Sequence, residues 1–291
     1  MAQLSINRTG HLGKLAGQAH WFVRDGLKFR WDTESQDCPM LPVNRTNFCH
    51  LIGPGQRILV LGDSMSEHFA VALKSHLHWT FGNKAETRTL SSNDTTCTPA
   101  RDLCADVFLT SAHDTETVKF VRSDQLGHVD EGTLVGNTKH EPWLHELTPE
   151  TKLVILNQGL HIQKDGDHTK SLTAAIRLIR SRLPHALVIF RSTSIGHLSC
   201  EMYEGPLALE QSNDQLPYGW DNVRRQNEIA KKIAADLGVV YMDVMRMTAL
   251  RPDSHLKPFQ DQDCLHYCVP GPLDAWVSVL YNLLLANATL A

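Results

Sequence analysis

Short unbroken apolar runs recur along this chain at wide intervals. Ile58-Leu59-Val60-Leu61, opened by Arg57 and closed by Gly62, is the first, and the same signal returns at residues 153–156, 187–190 and 239–242. Runs this short, without polar alternation, suit strands buried on both faces. Between them the apolar positions fall at helical spacing. Phe69, Ala70, Leu73 and Leu77 do so after Ser66; Leu172, Ile176, Ile179 and Leu183 do so within 169–183. Val223, Ile229, Ile233 and Leu237 follow within 221–237, a segment that opens on Asp221, a residue suited to capping. Strands alternating with helices imply right-handed crossovers and a mainly parallel sheet between two helical layers. The expected fold is therefore a three-layer α/β/α domain, flavodoxin-like in plan.

Two stretches escape this alternation. Residues 1–50 show little periodicity and contain Trp21, Trp31 and Cys38, so they read as an extended arm packed on the domain formed by residues 51–291. Between Thr80 and Glu150 polar residues and Gly-Asn pairs dominate. A long irregular stretch inside a compact domain is usually functional, so it is assigned to the walls of an active-site or acceptor cleft.

Composition narrows the partners. With 28 Lys plus Arg against 32 Asp plus Glu, the net charge is −4, which gives no basic field for a phosphate backbone and excludes nucleic acid. Sixteen histidines are many, yet no HExxH or paired CxxC spacing appears, and no metal site or bound cofactor is expected. The longest apolar stretches fall far short of the ~20 residues of a bilayer span, so no membrane contact is expected from this segment. The first residues lack the basic start and apolar core of a signal peptide, which leaves a cytosolic protein or a luminal fragment. Cys38, Cys49, Cys97, Cys104, Cys200, Cys264 and Cys268, with N-x-Ser/Thr sequons at Asn7, Asn44, Asn93 and Asn287, favour the second: a secretory-pathway lumen such as the Golgi, or secretion. Cys97 and Cys104 are close enough to bracket a small loop.

Open parallel sheets place ligands at the carboxyl ends of their strands. Gly62-Asp63-Ser64 sits at such an end. Gly62 permits a sharp exit from the strand, and Ser64 falls in the first turn of the next helix, where backbone N–H groups can stabilise an oxyanion. Serine alone is a poor nucleophile and needs a base. Asp263-Cys264-Leu265-His266 supplies one, the carboxylate fixing the imidazole tautomer while the other ring nitrogen faces Ser64. Either motif by itself is weak, the one as readily a helix cap and the other a polar turn; together, after the first core strand and before the last helix, they point to a serine enzyme.

At these residues the sequence resembles a known group. Leu61-Gly62-Asp63-Ser64, with the block Asp263-Cys264-Leu265-His266-Tyr267-Cys268-Val269-Pro270-Gly271 running on to Trp276, is similar to the PC-esterase branch of the SGNH hydrolase superfamily, which includes the plant trichome birefringence-like polysaccharide O-acetyltransferases. Asn157-Gln158-Gly159-Leu160-His161, Arg191-Ser192-Thr193-Ser194 with Gly196-His197, and Leu250 to His255 extend the resemblance over roughly residues 37–285. It implies Ser64 as acylated nucleophile, His266 as base and Asp263 as its partner. It further implies an oxyanion hole from the Ser64 N–H and Asn157, substrate contacts from His161, Arg191 and His197, and disulfides at Cys264 and Cys268, with Cys200 or Cys49 as mates. The implied reaction is acetyl transfer to a polysaccharide or glycan from an acetyl donor such as acetyl-CoA; the alternative is hydrolysis of glycan acetyl esters by the same residues. Met65-Ser66-Glu67-His68 stands where many relatives carry Arg or Asn followed by Gln, which keeps the esterase reading open. A reading from another class, a silent glycan-binding protein, requires a broken triad, and all three residues are present.

Overall fold

A computed structural model describes residues 4–8, 29–33, 39–78, 117–127, 133–135, 138–210, 216–255 and 263–288. Its strands are β1 (Leu4–Arg8), β2 (Phe29–Thr33), β3 (Arg57–Gly62), β4 (Val118–Arg122), β5 (Thr133–Val135), β6 (Thr138–His140), β7 (Thr151–Leu156), β8 (Leu187–Arg191) and β9 (Val240–Met242). The helices are α1 (Arg45–Ile52), α2 (Ser64–His78), α3 (Asp165–Arg182), α4 (Asn222–Asp236), the short α5 (Met245–Thr248) and α6 (Pro272–Ala288).

The central sheet runs β4-β3-β7-β8-β9, and every neighbouring pair is parallel. The expected α/β architecture is thus present, with a five-stranded parallel sheet between helices. The four apolar runs read from the sequence became β3, β7, β8 and β9 because each feeds both helical layers in alternation. Ile58, Val60, Leu153, Ile155, Ile189 and Met242 pack with α2 and α6. Leu59, Leu61, Val154, Leu156, Val188 and Phe190 point the other way, against α3 and α4. Each fully buried aliphatic side chain of this kind contributes about 1.5–3 kcal/mol. Helix α3 is further matched to its dipole, with Asp165 and Asp167 in the first turn and Arg180 and Arg182 in the last.

Within the first fifty residues, read as an arm, the described parts are two strands and the start of a helix. Strands β1 and β2 pair antiparallel, and α1 crosses residue 50, so a boundary drawn there cuts a helix. Asn44 caps α1 by accepting from the Asn47 N–H at 3.0 Å, and Phe48, Cys49 and Ile52 join the core cluster under α2 and α6. The stretch 80–150, read as irregular, also carries structure where it is described. It supplies the edge strand β4, whose Val-Lys-Phe-Val-Arg sequence mixes apolar and basic residues because an edge strand is only half covered, and the antiparallel hairpin β5-β6. Residues 79–116, which hold Cys97 and Cys104, lie outside the described residues.

This strand order fixes where a ligand can sit. The first sheet strand, β3, lies between the second, β4, and the third, β7, so the chain leaves β3 in one direction and later returns to its other side. In open parallel sheets ligands bind beyond the carboxyl ends of the strands where the order reverses, which here is the end of β3.

Candidate active site

Gly62, Asp63 and Ser64 leave β3 at that end of the sheet, and each residue type has a local reason. A Cβ on Gly62 would lie 2.3 Å from Ser66 Oγ and 3.1 Å from the Asn157 carbonyl oxygen, so the close approach of β3, β7 and α2 admits only glycine. Asp63 is buried, and its Oδ1 accepts from the N–H groups of Met65 at 3.0 Å and Ser66 at 3.2 Å, which caps α2. Ser64 follows as the first residue of the helix, and its N–H has no acceptor within α2.

From the far end of the chain, the turn before α6 presents the partner groups. His266 Nε2 lies 2.7 Å from Ser64 Oγ, and His266 Nδ1 lies 2.7 Å from Asp263 Oδ2. The other carboxylate oxygen of Asp263 accepts from the N–H groups of Leu265 and His266, each at 3.0 Å, so one side chain shapes the turn and orients the ring. Burial works to raise the Asp263 pKa, but the hydrogen bonds from the His266 ring and backbone outweigh it and hold the carboxyl well below the usual range. A carboxylate that stays ionised keeps a proton on Nδ1, leaving Nε2 as the acceptor for the serine hydroxyl.

A disulfide between Cys200 and Cys264 ties this turn to the loop after β8. The resemblance had left Cys200 or Cys49 as mates; Cys200 is the one joined to Cys264, whereas Cys49 is disulfide-bonded elsewhere and Cys268 is buried with its Sγ 3.6 Å from the His255 carbonyl. Among the described residues, the cluster of metal-ligating types is Cys200, Glu201 and Cys264, and its two sulfurs are bonded to each other.

Other expected contacts sit differently. Arg191 is 1% exposed: its Nη2 donates to Ser66 Oγ at 2.9 Å, its Nη1 to the Ser192 carbonyl at 2.8 Å, and its guanidinium lies 4.8 Å from the Trp276 ring centroid. Burial lowers its pKa to about 10, against which the Asp63 carboxylate works. It braces the first turn of α2 from below and is not placed to touch substrate. His197, 2% exposed, is likewise enclosed, with Nε2 2.8 Å from the Ala249 carbonyl. The resemblance implied both as substrate contacts; here the loop folds inward and their polar groups are taken up by the Ser66 hydroxyl and by the carbonyls of Ser192 and Ala249. Asn157 stands at the end of β7, as read, but its amide donates to the Arg191 carbonyl and to Thr193 Oγ1, both at 2.9 Å. Both hydrogens of that amide are thus committed to joining β7 to the end of β8. His161 remains partly exposed, with Nε2 3.8 Å from Asp124 Oδ2.

Further polar groups surround Ser64 that the sequence reading did not single out. Arg122 pairs across the sheet with Gly62, and it contacts Asp124 and, at 3.6 Å, Glu67 of α2. With His161 these form a polar wall on the β4 side. On the other side the His68 ring lies 5.2 Å from the His266 ring, centroid to centroid. Burial, then the neighbouring His266, lowers the His68 pKa, which favours a neutral ring. The one sequence signal for His68 was its spacing of four from Ser64, which puts it on the same helix face.

A parallel sheet with a serine capping out of its first strand, and an Asp-x-x-His turn hydrogen-bonded to it, defines a GDSL/SGNH-like α/β protein. The chain belongs to the PC-Esterase family, a GDSL/SGNH-like acyl-esterase family found in Pmr5 and Cas1p, whose profile matches residues 43–283. It is 24% identical over 291 residues to protein trichome birefringence-like 41 of Arabidopsis thaliana, spanning 89% of this chain and 79% of that one. Over 64 residues it is 34% identical to xyloglucan O-acetyltransferase 1 of the same plant, a match covering 18% of this chain and 15% of the relative. Among solved structures, the periplasmic domain of a lipopolysaccharide acetyltransferase from Salmonella ser. Paratyphi A aligns with a TM-score of 0.45 and 10% identity, over 86% of this chain and 90% of that one.

Proposed function

We propose that this protein transfers acetyl groups to hydroxyls of a polysaccharide or glycan through an acyl-serine at Ser64. The observation that carries the reading is the unbroken line from Asp263 through His266 to Ser64, with two contacts of 2.7 Å. In the first half-reaction Ser64 Oγ attacks the donor carbonyl while His266 Nε2 takes its proton. The developing oxyanion lies at the start of α2, where the Ser64 N–H and the helix dipole stabilise it, and each such donor is typically worth about 3 kcal/mol. The imidazolium then protonates the leaving group. In the second half-reaction the same nitrogen deprotonates an acceptor hydroxyl, which attacks the ester and releases Ser64.

A polysaccharide acceptor is supported by the family and by the named activity of the xyloglucan-modifying relative. Glu67, Arg122 and His161 provide the hydrogen-bonding groups a sugar requires on one side of the serine. The donor is an activated acetyl compound such as acetyl-CoA. The secretory-pathway lumen fits the Cys200–Cys264 disulfide; no helix among the described residues is long and apolar enough to cross a membrane.

The test is direct. Incubation with acetyl-CoA should leave an acetyl group on Ser64 detectable by peptide mass spectrometry, absent in Ser64→Ala. Following acetate by NMR then separates the fates of that ester: transfer to added xylan or xyloglucan oligosaccharides supports the proposal. Release of free acetate alone, unaffected by oligosaccharide, would assign the protein as an acetyl esterase instead.

A further inference from the structure

Below the His266 turn lie two buried imidazoles whose hydrogen bonds do not balance if both rings are neutral. His197 and His255 are each 2% exposed. His197 Nε2 lies 2.8 Å from the Ala249 carbonyl, and His255 Nδ1 lies 3.0 Å from the carbonyl of His266 itself. A carbonyl only accepts, so both of these nitrogens carry protons. The two remaining nitrogens, His197 Nδ1 and His255 Nε2, face each other at 2.7 Å. Two lone pairs cannot face one another at that distance, so a third proton must lie between them.

We propose that His197 and His255 share one extra proton, and that this linked pair is a positioning device holding the His266 backbone beneath Ser64. The inference rests on the reading of His266 as the base. The pair is set among fixed elements. The His255 ring stacks on Tyr267 at 4.1 Å between centroids, a face suited to a cation, and the Tyr267 hydroxyl donates to the Ile195 carbonyl at 3.1 Å. That hydroxyl also lies 3.4 Å from His197 Nδ1, too far to replace the proton at the shorter contact. The nearby charges are Asp253, held by two hydrogen bonds from Arg251, and the Asp263–His266 pair on the cleft side. Burial opposes the charge, pushing His255 down to about 3 and lowering His197 as well. Against burial stand the hydrogen-bond inventory, Asp253 and the Tyr267 ring, and the geometry of four nitrogens with two carbonyls decides the count.

The linkage gives His255 a rigid role: the shared proton fixes its ring, and its Nδ1–H fixes the carbonyl of the residue whose imidazole must meet Ser64. Imidazole-nitrogen NMR on the wild-type protein labelled with 15N-histidine tests it without reference to activity. Three nitrogen-bound protons over the two rings at pH 7, one of them coupled to nitrogens of both, are expected; two protons, one per ring, would overturn the proposal. Ser64→Ala should leave that count unchanged, so a failure of the serine mechanism is seen separately, as undiminished p-nitrophenyl acetate turnover in that variant. His255→Phe, which keeps the stacking but loses the donor, should lower kcat/KM by about 10²-fold, the usual cost of a small misplacement. His255→Asn, which keeps a donor toward His266, should restore most of it. Equal losses in both variants, with circular dichroism unchanged from wild type, would sink the positioning role.

Discussion

At Asp263 one side chain combines fold and chemistry. One oxygen closes the turn through two backbone N–H groups and the other orients His266, so substitution should separate the two effects. Asp263→Asn retains shape but favours the wrong imidazole tautomer, and should lower turnover of an acetyl ester by about 10⁴-fold. Stability should respond with a definite sign. The folded pKa lies below the unfolded value of about 3.9, so the stabilisation is present above that pH and is lost as pH falls through the folded value. Thermal melts should therefore show Asp263→Asn below wild type at pH 7, the gap narrowing as the pH drops below about 3.9. That Ser64, Asp263 and His266 come together was legible in sequence because a Gly-Asp-Ser after a strand and an Asp-x-x-His before a helix are distinctive types at distinctive places. Arg122, His68 and His255 were not, because what singles them out is a neighbour far away in the chain.

Among the elements, the turn from β3 into α2 depends on β8. Arg191 is enclosed with Asp63, the guanidinium 3.9 Å from its carboxylate, and removing one partner strands the other charge. Arg191→Ala should cost about 3–5 kcal/mol in chemical denaturation. Pairing Arg191→Met with Asp63→Asn should recover part of the loss, as read from a double-mutant cycle. Gly62→Ala should be destabilised as well, and should lose activity disproportionately, since Ser66 and the β7 end must move aside to admit the methyl group. The four central strands and their helices could be read in sequence because burial on both faces leaves unbroken apolar runs. Strand β4 and helix α1 could not: an edge strand need not be apolar throughout, and α1 is a short helix with few buried positions. The inward fold of Arg191 and His197 was equally hidden, because a polar residue after a strand looks the same whether it faces a cleft or a buried network.

Across the whole molecule, the Cys200–Cys264 bridge closes a loop with a sequence separation of 64, including α4, β9 and α5. By the chain-entropy account a loop of that length is worth about 4 kcal/mol. Replacing both cysteines by serine should lower the melting temperature, and should reduce ester turnover further than the fraction unfolded explains, because Asp263 then loses the tether beside it.

Ser64 and His266, in contact in the fold, stand 202 residues apart in the chain. A nascent polypeptide that has emerged only as far as β9 presents all five strands of the parallel sheet but not yet His266, so the proposed partner of Ser64 is still missing from the folded part. If Ser64 is the proposed nucleophile, its labelling by a fluorophosphonate should mark the final closure of the chain on itself, so that a single covalent probe counts finished molecules during biosynthesis.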